Sequence, residues 1–299
     1  MRYSLITVSG VLAVASGHGL VTSIKGANGV TMPGLSVADG TPRDCSSNAC
    51  GSQADTAIIR DREITSGKAS PLGRTQGNGP IDAATMIQSF MGGATAPKNN
   101  GSAASVGVED QIPANAGKRD NFFVRGLKDL LGGLTGKSGG TKTSAAQETS
   151  VAATAGKGAT SGLPTSADDG SITMNFRQIN QDGAGPITAA VDGTSGGTKE
   201  DAFKTAEVTQ DVPGAGFLGL SLATNTDFPL TVQMPAGMTC DATVGGASNV
   251  CVVRVRNNAI AGPFGGSAAF TQSPAARKRA LNYRMKMKRQ SEQNRRLRK

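Results

Sequence analysis

A mostly β fold, an antiparallel β-sandwich, is what this sequence predicts, and three observations predict it. Between Ser171 and Gln272 short apolar runs follow one another: "SITMNFRQIN", "GPITAAVD", "AEVTQDV", "FLGLSL", "PLTVQMP", "NVCVVRVRN" and "SAAFTQ", with turn residues between them. Inside them "CVVRVRN" alternates strictly. Val253 and Val255 go to one face and Arg254 and Arg256 to the other, as in a half-buried strand with a solvated arginine face. Apolar residues are 37% of the 299 and glycine reaches 41, so a core is expected along part of the chain, interrupted by loop-like polar sequence.

The elements follow in chain order. Residues 1–17 read as a signal peptide. Arg2 supplies the positive start, "LITVSGVLAVA" the apolar run of eleven residues, and Ala15 and Gly17 the small residues before a cut that leaves His18 first. Cleavage after Ala15 or Ser16 is the alternative. The run is shorter than the roughly 20 residues that span a bilayer, and no later segment qualifies, so no transmembrane segment is expected and the product is expected to be secreted, extracellular and soluble.

Residues 18–90 look ordered: "LVTSIKG" alternates as a strand, "ANGV" carries an Asn-Gly turn, and "TAIIRDREI" is a second strand or a short helix. "PIDAATMIQSFM" has helical spacing, with Pro80 suited to an early helical position and Asp82 to the first turn.

Residues 92–170 are rich in Gly, Ser, Thr and Ala without a sustained apolar period, and are expected to be a largely flexible insertion. One island inside it, Arg119 to Leu134, places Phe122, Phe123, Leu127, Leu130, Leu131 and Leu134 on one side of a helix. It would dock on the body or lie on a membrane surface, and Lys118-Arg119 ahead of it is a candidate dibasic processing site. Residues 18–272 would make a single domain, with a basic tail at 273–299, disordered or helical in part. The tail from 277 has eleven Lys/Arg and one Glu, a formal +10, so the +9 of the whole chain leaves residues 1–276 near −1.

Candidate chemistry is sparse. Cys45, Cys50, Cys240 and Cys251 are an even set in an exported chain. Each of the pairs Cys45–Cys50 and Cys240–Cys251 brackets a short turn-like stretch, which favours two local disulfides over zinc, for which CxxC spacing is lacking. His18 is the single histidine. As a mature first residue its amine and imidazole could chelate Cu(II). That arrangement resembles the histidine brace of copper-dependent polysaccharide monooxygenases, but the second histidine is missing. Asp39, Asp44 or Asp55 would have to stand in, and nothing in the sequence selects one. The plainer reading of His18 is a surface residue at a mobile end.

Ser/Thr triads have no histidine to serve them. The carboxylates of "ADDG" and "DRE" sit in polar strings that read as solvated rather than as a glycosidase pair. "GANGV", "GNGP" and "GPFGG" are turn glycines without a strand–GxGxxG–helix setting. Asn100 opens a glycosylation sequon.

Three stretches carry a resemblance: His18 to Ile64, "GKASPLGRTQGNGPIDAATMI", and "CVVRVRNNAIAGPFGGSAAFTQ". They resemble the Egh-type (Gas/Mas-type) fungal appressorium-associated virulence factor family, over roughly residues 1–90 and 171–272. The resemblance implies a virulence factor aiding host penetration, with no settled reaction, and "HG" at the mature start is in keeping with it. The expectation is a monomer that binds a fungal or host cell-wall or cuticle polymer without catalysis, with copper binding or a copper-dependent oxidase-like role at His18 as the alternative. The basic tail could hold polyanions through counterion release, but with Tyr283 as its single aromatic it offers no specific nucleic-acid readout.

Overall fold

A computed structural model describes residues 18–46, 50–100, 140–143, 145–181, 183–214, 219–221, 223–259 and 262–298. The signal-peptide reading, Lys118-Arg119 and the helical island at 119–134 fall outside the described residues.

The chain begins with β1 (Gly19–Lys25), which buries Leu20, Val21 and Ile24 and exposes Lys25. The Asn28-Gly29 turn, with Gly29 at φ 79, returns it to β2 (Thr31–Pro33) in antiparallel register. β3 (Ala57–Ile58), β4 (Arg74–Thr75) and β5 (Gly79–Pro80) are two-residue strands, and β6 (Thr141–Lys142) is as short. The longer strands are β7 (Ser171–Gln178), β8 (Thr188–Asp192), β9 (Phe203–Gln210), β10 (Thr226–Gln233), β12 (Ala247–Arg256) and β13 (Phe264–Thr271), with β11 (Ala242–Val244) hairpinned onto β12.

The mostly antiparallel β expectation holds; the two-sheet sandwich does not describe the connectivity. All the described strands join into one sheet, in the order β2-β1-β7-β10-β9-β8-β12-β13-β3-β4-β5, with β6 paired to β10 and β11 to β12 off this path. β9 makes the join, pairing with β10 on one side and β8 on the other. A bulge between Thr231 and Val232 breaks the register where the sheet turns, the usual device for curling a strand. The sheet curls into a half-barrel, and β1 comes to lie against β13. Gly266 permits that approach, because a Cβ there would stand 2.6 Å from the Val21 nitrogen. Phe176, Phe228 and Phe270 fill the enclosed core with Leu20, Ile24 and Leu230.

"TAIIRDREI" is both things the sequence allowed: β3, then α1 (Asp61–Thr65). α2 (Ala83–Met91) starts later than its period suggested. Pro80 belongs to β5, and Asp82 is the N-cap, accepting from the Ala84 N–H at 2.9 Å. Gly92 closes the helix at φ 85. In "FLGLSL" the described residues, 219–221, are loop.

Four expectations need correction. The described strand β12 is not half-buried: Val250 to Val255 are buried on both faces. Arg254 is 6% exposed and pairs with Glu200, donates to the Pro71 carbonyl, and lies 4.4 Å over the Phe203 ring. Arg256 pairs with Asp61. The flanks of the insertion that are described are folded. α3 (Ser150–Thr154) and α4 (Gly158–Ser161) pack by α2, with Val151 buried and Gly158 against Phe90. Helices come in greater number than one, because these are too short to show a period. The basic tail is α5 (Pro274–Leu297), of 24 residues, rather than disordered. Ser273 caps it by accepting from Ala276 N–H, Pro274 stands at its first position, and from Ala275 to Arg298 there is no glycine, proline or β-branched residue.

One buried ion network ties these parts together. Arg43, 3% exposed, grips Asp55 with both terminal nitrogens (2.9 and 2.5 Å) and Glu148 with Nε and Nη2 (3.0 and 2.9 Å). Its carbonyl accepts from Arg177, whose guanidinium stands 3.6 Å from Asp227. Burial would lower the Arg43 pKa, but the two carboxylates overcome it and raise it. Burial would likewise raise Glu148, and Arg43 with the Ser150 N–H holds it below its ordinary 4.5 instead.

Truncating Asp55 leaves the buried Arg43 with Glu148 as its remaining carboxylate partner and two guanidinium bonds unmade, so Asp55→Ala is expected to lower stability by about 3–5 kcal/mol in urea unfolding. Because the folded pKa of Glu148 is depressed, its contribution is complete above pH 4.5 and is lost as pH falls through the folded value. Acid unfolding of Glu148→Gln is therefore expected to show a shallower pH dependence below pH 4.5 than wild type; identical profiles would contradict this.

Candidate functional site

The His18 corner is built by β1 and β7. Gly19 pairs with Gln178 at the strand ends, and the His18 carbonyl accepts from Ile179 N–H at 2.9 Å. This pins His18 inside rather than at a mobile end: it is fully buried. Its ring packs on Phe264 with centroids 4.3 Å apart, and its backbone nitrogen donates to Asn180 Oδ1 at 2.6 Å. Gln178 continues the polar corner, donating to Ser221 Oγ and to the carbonyls of Asn180 and Ala223.

The carboxylates proposed to complete a copper site have other duties. Asp55 is locked to Arg43. Asp39 accepts from Val151 and Ala152 N–H at 3.0 and 2.7 Å, satisfying the open donors at the start of α3. Asp44 is exposed. Among the described residues no group of three His, Cys, Asp or Glu side chains could hold a metal ion. The contacts of His18 include an amide oxygen, the Phe264 ring and main chain.

The other sequence candidates are structural. "DRE" supplies Asp61 to Arg256 and Glu63 to Arg60 and Arg74. "ADDG" supplies Asp168 to the Ser273 hydroxyl and Asp169 to the Ser171 N–H. Both disulfides form as paired from the sequence, Cys45–Cys50 with Cα atoms 6.5 Å apart and Cys240–Cys251 with 4.8 Å. Asn100 is exposed, and the rest of its sequon lies outside the described residues.

The feature that sequence reasoning missed lies at the root of α5. The Cys240–Cys251 bridge holds the loop before β11 against β12, and that loop receives the helix. Arg277 donates to the Cys240 carbonyl at 2.8 Å and pairs with Asp241, and Arg284 donates to the Gly237 carbonyl at 2.6 Å. Ala276 and Ala280 are buried beneath it. An open groove of about 470 Å³ results between the helix, the 235–238 loop and the exposed face of β9 and β10. Asp169, Glu207, Gln233, Gln272, Arg279 and Tyr283 line it.

The Tyr283 ring lies over Gly237 and stays 44% exposed. Hydrogen bonds from Ser171 hold the Asp169 carboxyl below its usual range, so it is an anion at neutral pH. An exposed ring beside amides and carboxylates can receive the apolar face and the hydroxyls of a sugar. The one readable signal was Tyr283, an aromatic alone in a basic run; its partners come from the turn before β7, from β9 and from β10, and could not be found from spacing.

Comparison with known proteins agrees on a single group. The family model for Egh16-like virulence factors matches residues 16–265. Appressoria-specific virulence factor GAS2 of Pyricularia oryzae is 53% identical over 291 residues, covering 97% of this chain and 96% of that protein. Appressoria-specific virulence factor GAS1 of the same fungus is 34% identical over 191 residues, 60% of this chain and 72% of that one. No solved structure matches.

His18 packs on the Phe264 ring in the interior. His18→Ala is expected to lower stability by about 2–4 kcal/mol in thermal unfolding. Calorimetric titration of the mature protein and of His18→Ala with Cu(II) tests the metal reading: a copper site lost in the variant supports it, and unchanged affinity ends it.

Proposed function

The chain belongs to the Egh16-like virulence factor family, and from that premise we propose that it is a secreted, appressorium-associated virulence factor. It acts at the fungal surface or the host interface by noncatalytic binding of a cell-wall or cuticle polymer. The observation that carries the binding role is the groove at the root of α5. It is open to solvent and offers one exposed ring with amide and carboxylate groups beside it.

The geometry of binding follows from those groups. Gln233 is fixed by donating to the Asp169 carbonyl at 2.8 Å, which leaves its oxygen as an acceptor for a hydroxyl. Glu207 is exposed on β9, where a carboxylate accepts hydroxyl hydrogen bonds strongly. Tyr283 supplies apolar area without much loss of side-chain freedom. Two buried disulfide cysteines, Cys240 and Cys251, keep the loop that forms one wall in place, and their oxidised state suits an extracellular setting.

Retention of the full chain on insoluble chitin, β-glucan and isolated cuticle tests the reading. Binding to at least one is expected, with Tyr283→Ala reducing affinity roughly three- to tenfold. No retention on any of the three would refute it.

A further inference from the structure

The distal half of α5 carries charge that the groove does not use. Every residue from Leu281 to Arg298 is exposed, and among the described residues no side chain beyond Arg284 bonds to the body. From Met285 to Leu297 the helix runs about 20 Å at 1.5 Å per residue. Along it stand Lys286, Lys288, Arg289, Arg295, Arg296 and, just past its end, Arg298, against Glu292 alone. A helix of this length without tertiary packing is marginal in water, and like charges at neighbouring turns weaken it further. A partner that neutralises the cations would therefore strengthen the helix that binds it.

The distribution of side chains selects the partner. At 3.6 residues per turn, Leu281 and Met285 face one way, Tyr283 and Met287 nearly the opposite way, and the cations lie all round. No single apolar face exists to enter a lipid surface. Tyr283 is the only aromatic and belongs to the groove, so successive bases have nothing to stack on. Between the cations stand Gln290, Ser291, Gln293 and Asn294, groups that exchange hydrogen bonds with hydroxyls. Guanidinium forks match carboxylates bidentately. Cations interleaved with amides suit a chain that is both polyol and polyanion.

We propose that the distal half of α5, beyond the groove and its Asp169 and Glu207 carboxylates, is a docking strip for a linear acidic polysaccharide, a polyuronate. The proposal rests on the polymer-binding reading above and adds to it the acidic class of polymer and the residues that select it. Binding stabilises the helix against fraying, its six cations displacing counterions from successive uronate carboxylates.

The full-length protein and a variant with Lys286, Lys288, Arg289, Arg295, Arg296 and Arg298 all changed to Gln are compared on polygalacturonate, at about 50 and 200 mM salt. Wild type is expected to bind, to lose affinity at least ~10-fold over that salt range, and to gain helical circular dichroism on binding. The variant is expected to bind at least ~10-fold more weakly at the lower salt, with an unchanged melting temperature because these side chains touch nothing on the body. Retention of the variant on whichever neutral polymer the wild type binds is expected to persist. Equal binding of the two proteins to polygalacturonate overturns the strip, as does tighter wild-type binding to anionic phospholipid vesicles or duplex DNA. Binding of polygalacturonate but of no chitin, glucan or cuticle would leave the strip standing while removing the broader reading.

Discussion

A single buried guanidinium decides how distant parts of this chain meet. Arg43 belongs to the amino-terminal region, Glu148 to the far flank of the insertion, and Arg177 to β7, yet all three converge with Asp55 in the interior. A guanidinium cannot be left uncompensated there, since it cannot shed its charge as a lysine or histidine can. The fold therefore has to bring both carboxylates to it. Glu148 places the segment that leads into α3, and Asp39 then caps that helix. The two short helices beside α2 exist because of these polar anchors. Their own propensity is weak: they contain glycine, serine and threonine and extend for five and four residues.

The sheet obeys a second constraint. β9 is exposed along most of its length, with Ala206 its buried residue, and so can carry the sheet around a corner without disturbing the core. β12 lies at the centre of the other half and is covered on both faces, which forces Arg254 to find Glu200 and the Phe203 ring. Small residues along β13 let β1 close over it. The same architecture leaves the outer face of β9 and β10 free at the place where α5 departs. The groove is thus a product of how the sheet turns at β9, and it sits with the cationic helix on a body whose own formal charge is near zero.

Much of the fold was legible locally. The β1–β2 turn, the spacing of β7 to β13, the caps of α2 and both disulfide pairs follow from residues close together in the chain. The extended helix α5 was also open to reading, by propensity and its Ser273-Pro274 start rather than by apolar period; a search for a hydrophobic stripe passes over a helix that has none. The candidate site was much less legible. His18 was conspicuous as the one histidine, but conspicuousness carried no information about burial. Tyr283 stood out in the basic run, while Asp169, Glu207 and Gln233 were indistinguishable from any other polar residues.

By itself, then, the sequence determined the strand pattern, the oxidised cysteine pairs, the separation of a near-neutral body from a basic end, and membership of a family of virulence factors. Only the tertiary structure decided that the strands make one curled sheet, that Arg43 and Arg254 are interior, that His18 packs against Phe264, and that a groove opens beside Tyr283. The division has a physical cause. Alternation, capping and turn geometry depend on neighbours a few residues away. The environment of a buried charge or a groove wall depends on groups from strands up to a hundred or more residues apart, and those come together only when the sheet closes.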